Sequence, residues 1–103
     1  MTPIWYQVII VYMSQDNKSA ERIKIERVQT GVRIEKRLLK VLKAVAEMCD
    51  LTLGDLLEGI VLHAFENKTP FSPETLKAIE QFKLLYGMTL TAAQSHTFVE
   101  VEP

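Results

Sequence analysis

The sequence predicts a mainly α fold. Each chain contributes one short strand and two helices, and a second copy closes the unit through an intermolecular antiparallel ribbon. An N-terminal apolar, strand-like segment and a third, C-terminal helix extend it. Three observations predict this. Residues 28–34 alternate apolar and polar, the period of a strand. Residues 36–49 and 53–66 each carry an apolar stripe at helical spacing,. Residues 27–66 amount to about 40 residues, too few to bury a sufficient core without a metal, a disulfide or a partner.

The chain has 103 residues, which sets one domain as the expectation. Its hydrophobic share of 48% and charged share of 24% are those of an ordinary folded soluble protein,. The net charge of −1 conceals an asymmetry. Residues 1–45 hold nine Lys/Arg against four acids, and residues 46–103 hold three against nine. A basic half beside an acidic half marks a candidate polyanion-binding face, or else a solvated helix surface. Cys49 stands alone, so no intrachain disulfide forms and a reducing compartment is expected. The apolar run Pro3–Met13 is shorter than the ~20 residues a membrane span needs. It also lacks a basic n-region and a cleavage site, so a soluble, cytoplasmic protein is expected.

In order along the chain, residues 4–13 (IWYQVIIVYM) have strand composition,. They suit an added strand or an apolar arm on a partner subunit, unless Met13 is the true start. Residues 14–22 are polar and turn-forming. From Val28 to Ile34 the even positions form an apolar face. Arg27, Gln29, Gly31 and Arg33 form the other face. A lone strand leaves its backbone groups unpaired, so it must pair with residues 4–13 or with its own copy in a second chain.

The first helix is expected over 36–49, with Leu38, Leu39, Leu42, Val45, Ala46 and Cys49 on one stripe and Lys36, Arg37, Lys40 and Lys43 off it. Thr52 followed by Asp55 reads as an N-cap with an acid at the third helical position. The second helix is expected from about Leu53 to Glu66, with Leu56, Leu57, Ile60, Val61, Ala64 and Phe65 as its stripe. Ser72-Pro73-Glu74 is a strong helix start. It places the third helix over 73–86, with Gly87 as its stop. Residues 89–96 suit a short helix, and 97–103 a frayed or extended end.

Pairing two copies answers both the small core and the unpaired strand. The strands pair across a two-fold axis and four helices close over their apolar face. Folding and dimerisation are then inseparable. The expected dimer core is Val28, Val32 and Ile34 on the strand, Leu38, Leu42 and Val45 on the first helix, and Leu57, Ile60, Val61 and Phe65 on the second. Three regions follow: an extension over 1–26, a core over 27–66, and a C-terminal extension over 67–103.

The strand VQTGVRI, the helix KRLLKVLKAVAEMCD, the short LT junction and the helix LGDLLEGIVLHAF resemble the ribbon-helix-helix DNA-binding proteins. That group includes the methionine repressor, plasmid copy-number repressors and many antitoxins. The resemblance covers residues 27–66 and rests on spacing and residue type. It implies a homodimeric, sequence-specific transcriptional regulator, repressor-like or antitoxin-like, with its ribbon in the major groove of double-stranded DNA.

The base-reading positions that the resemblance assigns are Gln29, Gly31 and Arg33. Arg33 suits guanine O6 and N7, and Gln29 suits adenine N6 and N7. Gly31 departs from the pattern. Either the central contact is absent or the backbone comes closer to the DNA. Phosphate would be held by Arg27, Lys36 and the start of the second helix at Thr52, Leu53 and Gly54. Asp50 and Asp55 bring unhelpful negative charge there. The resemblance also implies tandem dimers along DNA, and it leaves the C-terminal extension as a surface for a protein partner such as a toxin.

No catalytic constellation is visible. His63 and His96 are the only histidines, and Cys49 reads as a small core residue,. Gly-rich phosphate loops and metal-ligand spacings are missing from the sequence, so no enzyme activity, cofactor or metal is expected. The alternative to the regulator is a dimer of the same fold that has lost DNA binding and serves as an interaction or assembly module. Gly31, the two acids near the phosphate clamp and the acidic C-terminal half favour it.

Overall fold

Each described helix of this chain starts at a capping side chain and stops at a left-handed turn. The computed structural model describes residues 22–101. Among the described residues there are three helices, α1 (Lys36–Met48), α2 (Leu53–Phe65) and α3 (Pro73–Tyr86), followed by a 3-10 turn at Ala92–Gln94. None is long and apolar enough to cross a membrane.

The α1 cap is Glu35, whose carboxylate accepts the Leu38 N–H at 2.9 Å. That backbone hydrogen bond, with Arg37 beside it, holds the Glu35 carboxyl below the usual carboxylate range,. Thr52 caps α2 by accepting the Asp55 N–H at 3.1 Å. Ser72 caps α3, accepting the Thr75 N–H at 3.2 Å and donating to Thr75 Oγ1 at 3.1 Å. Both Ser72 and Thr75 are fully buried, so this cap also satisfies polar groups that water cannot reach.

All three helices end in one device. A residue in the left-handed region turns the chain, and the following N–H returns to a carbonyl of the last turn. Asp50 (φ 58°) ends α1 with Leu51 N–H to Ala46 O at 2.9 Å. Asn67 (φ 56°) ends α2 with Lys68 N–H to His63 O at 2.8 Å. Gly87 (φ 64°) ends α3 with Met88 N–H to Lys83 O at 2.8 Å.

The core sits chiefly between α1 and α3, with α2 packed more lightly on α1. Val41, Val45, Ala46 and Cys49 from α1 and its end are buried together with Leu56 and Met88. Ile79, Phe82 and Tyr86 of α3 cover them. Val41 lies outside the stripe expected for this helix. Two cations of α1 reach the end of α3. Arg37 donates to the Gly87 carbonyl at 2.9 Å, and Lys40 Nζ lies 5.9 Å from the Tyr86 ring centre. Cations suit a helix C-terminus and an aromatic face.

The expected strand does not form in the single chain. Among the described residues there is no strand, and residues 22–35 have no regular secondary structure. No backbone hydrogen bond joins 22–34 to other described residues. A strand exists only against a ladder partner. One candidate partner, residues 4–13, lies outside the described residues, as does the added-strand expectation placed on it. The other candidate is a second chain. Where a short helix is expected over 89–96, the chain makes only the 3-10 turn, and 97–101 continues without regular structure.

Candidate nucleic-acid interface

The start of α2 is an open helix end. Thr52 consumes the Asp55 N–H through its hydroxyl and the Leu56 N–H through its carbonyl. The N–H groups of Leu53 and Gly54 have no acceptor among the described residues. Thr52 and Gly54 are exposed and Leu53 is half-buried. A Cβ built on Gly54 would meet only Thr52 Oγ1, at 3.9 Å. The positive end of the helix dipole is therefore uncrowded.

Arg27 comes to this same end, but its guanidinium is engaged by protein. Nε donates to Glu58 Oε2 at 2.9 Å, and Nη2 donates to Glu58 Oε1 at 2.8 Å and to Asp55 Oδ1 at 3.1 Å. The hydrogen bond from Arg27 holds Glu58 below the usual carboxylate range, and the same contact raises Arg27. Sequence reading assigned Arg27 to phosphate. The structure gives it two acids of α2, one of them the Asp55 that looked unhelpful there. The partners lie 28 and 31 residues away, so no local spacing signals the pair.

The positions that the resemblance assigns to base reading are all exposed. Gln29 and Gly31 lie open to solvent, and a Cβ on Gly31 would meet nothing within 4 Å. Nothing among the described residues crowds Gly31 or requires a glycine there. The Arg33 side chain is 84% exposed and forms an ion pair with Glu100 of the tail. Lys36 is exposed and makes no ion pair among the described residues. The structure thus brings Arg27 to the Thr52–Asp55 helix start and turns Arg33 towards the tail.

The residues expected in a dimer core divide sharply. Val45 is buried within the chain, and Leu38, Leu42 and Ile60 pack partly against the core. Ile34 and Leu57 are half-buried. Val28, Val32 and Phe65 are exposed at 82%, 73% and 81%, and Val61 is exposed as well. Ile25, Leu57, Val61 and Leu62 line an open apolar groove beside Glu58. Covering a side chain of this size fully is worth about 1.5–3 kcal/mol. An exposed patch of this kind is the mark of an interaction surface.

Elsewhere the chemistry is sparse. No cluster of three or more His, Cys, Asp or Glu residues able to hold a metal occurs among the described residues. Cys49 is buried, and burial pushes its thiol up to about 11. His63 Nδ1 lies 2.7 Å from the Gly59 carbonyl, a contact within one helix. Comparison with family models, with curated proteins and with solved structures found no significant match to this chain.

Proposed function

We propose that this chain is a homodimeric, sequence-specific DNA-binding regulator, repressor-like or antitoxin-like, whose paired 28–34 segments enter the major groove. The observation that carries this reading is the state of that segment. It has no backbone partner among the described residues. Val28 and Val32 lie exposed at its even positions. Gln29 and Arg33, two residue types that read base edges, lie exposed at its odd positions. A second copy would supply the missing ladder and cover the valines, leaving the odd positions outward. The open N–H groups of Leu53 and Gly54 would take a phosphate, and Lys36 would add charge attraction that salt screens.

The test is a selection of genomic fragments bound by the purified protein, followed by titration across salt. Specific binding that falls steeply with salt, and that Arg33→Ala abolishes while the dimer persists, supports the regulator.

A second reading has its own observation. Arg27 is held by Asp55 and Glu58, and Arg33 by Glu100, so two of the cations assigned to DNA are neutralised by the chain itself. That favours a dimeric interaction or assembly module of the same fold. A lack of DNA affinity at low salt selects it over the regulator.

A further inference from the structure

We propose that the acidic C-terminal tail is an autoinhibitory strap that competes with DNA for Arg33. The inference rests on the DNA-binding reading above and adds a regulation to it. Arg33 and Glu100 are 67 residues apart in the chain, yet the Arg33 Nη2 and the Glu100 carboxylate form an ion pair. Arg33 is the outward cation of the 28–34 segment. The guanidinium N–H groups that would face guanine O6 and N7 are the groups a carboxylate takes. One guanidinium cannot present its full fork to both.

The tail reaches Arg33 by an ordered path. After α3 the chain turns at Ala92–Gln94, where Gln94 Oε1 accepts the Thr91 N–H at 2.9 Å. The Gln94 carbonyl then accepts the Thr97 N–H at 2.9 Å and the Thr97 hydroxyl at 2.7 Å. Beyond Lys83 the sequence holds no Lys or Arg, and Glu100 and Glu102 supply the charge near its end. A short run of negative charge is what a basic reading face accepts in place of phosphate.

The hold is weak enough to release. Val99 and Val101, on either side of Glu100, are 90% and 84% exposed, so these two valines add little apolar anchoring. The two partners of the ion pair are themselves 84% and 64% exposed. An exposed pair of this kind shifts an equilibrium about two- to five-fold. A dimer carries two such pairs, so removing both should tighten DNA binding about four- to twenty-five-fold. DNA, with its many phosphates, then displaces the strap once a cognate site is met.

The experiment measures DNA affinity at one fixed low salt for the full chain and for Glu100→Gln, Glu47→Gln, Arg33→Ala and a chain ending at Ser95. Glu47 is exposed on α1, so Glu47→Gln controls for the change in net charge. The strap predicts tighter binding by Glu100→Gln and by the truncated chain and a smaller change for Glu47→Gln, while Arg33→Ala loses specific binding as the DNA reading requires. Equal binding by the full chain and Glu100→Gln overturns the strap and leaves the DNA reading standing. Equal gains from Glu100→Gln and Glu47→Gln overturn it too, since net charge alone then accounts for them. If no variant binds any DNA, the DNA reading fails and the strap fails with it.

Discussion

Arg27 grips Glu58 with two nitrogens of its guanidinium, Nε to Oε2 at 2.9 Å and Nη2 to Oε1 at 2.8 Å. The contact ties the irregular segment before α1 to the outer face of α2. Both side chains remain about half exposed, so the pair orders a segment rather than holding the fold. Arg27→Ala should leave the unfolding midpoint almost unchanged while speeding proteolysis over residues 22–30. The pH dependence has a definite sign. Glu58 has a lowered pKa in the folded chain, so the ordering is fully present above the ordinary carboxylate range. It is lost as pH falls through the depressed value, while Arg27 stays charged throughout. Added salt should weaken it at neutral pH.

Phe65 offers a test of the proposed dimer. Its side chain is 81% exposed in the single chain, so a monomer would tolerate a charge there. If a second copy covers it, Phe65→Asp places a carboxylate in an apolar interface, which costs far more than the lost contact. Sedimentation velocity should then show dissociation, with loss of helical signal on dilution. An unchanged species and an unchanged melt would exclude Phe65 from the interface.

Asp50 and Asn67 adopt left-handed backbone angles at the ends of α1 and α2. Glycine is at ease there and a β-branched residue is not. Asp50→Gly and Asn67→Gly should be neutral or slightly stabilising. Asp50→Val and Asn67→Val should each lose about 1–2 kcal/mol. Urea unfolding at one fixed protein concentration reads the difference, because an oligomer's stability depends on concentration.

Cys49 is fully buried among Val45, Ala46 and Leu56, and its thiol titrates near 11. Only the thiolate reacts with alkylating reagents. Labelling at neutral pH should therefore proceed no faster than opening of the core, and denaturant should accelerate it in step with unfolding. The raised value also sets a sign. The stability linked to this thiol is complete below the ordinary cysteine range and is lost as pH rises through about 11,.

Local signals carried most of the helix boundaries. Thr52 and Ser72-Pro73-Glu74 mark starts and Gly87 marks a stop because caps act within one turn of the backbone. The same rules missed Glu35, which caps α1 without being one of the usual short polar residues, and Asp50 and Asn67, whose left-handed turns need no glycine. The stripe expected on α1 included Val45, Ala46 and Cys49 but left out buried Val41. A 3.6-residue period shows that a helix has an apolar side. It does not say how wide the side is once α3, rather than a second α2, lies against it.

The sequence by itself determined three helical spans, the Thr52 and Ser72 caps with the Gly87 stop, and an alternating segment whose backbone must seek a partner. Those features follow from interactions within a few residues of chain. Tertiary structure alone decided that α1 packs chiefly on α3, that Arg27 answers Glu58 and Asp55, and that Arg33 meets Glu100. Each of these joins groups dozens of residues apart. Their meeting depends on how the helices stack and where the connecting turns aim the chain, and neither is written into the spacing of neighbouring residues.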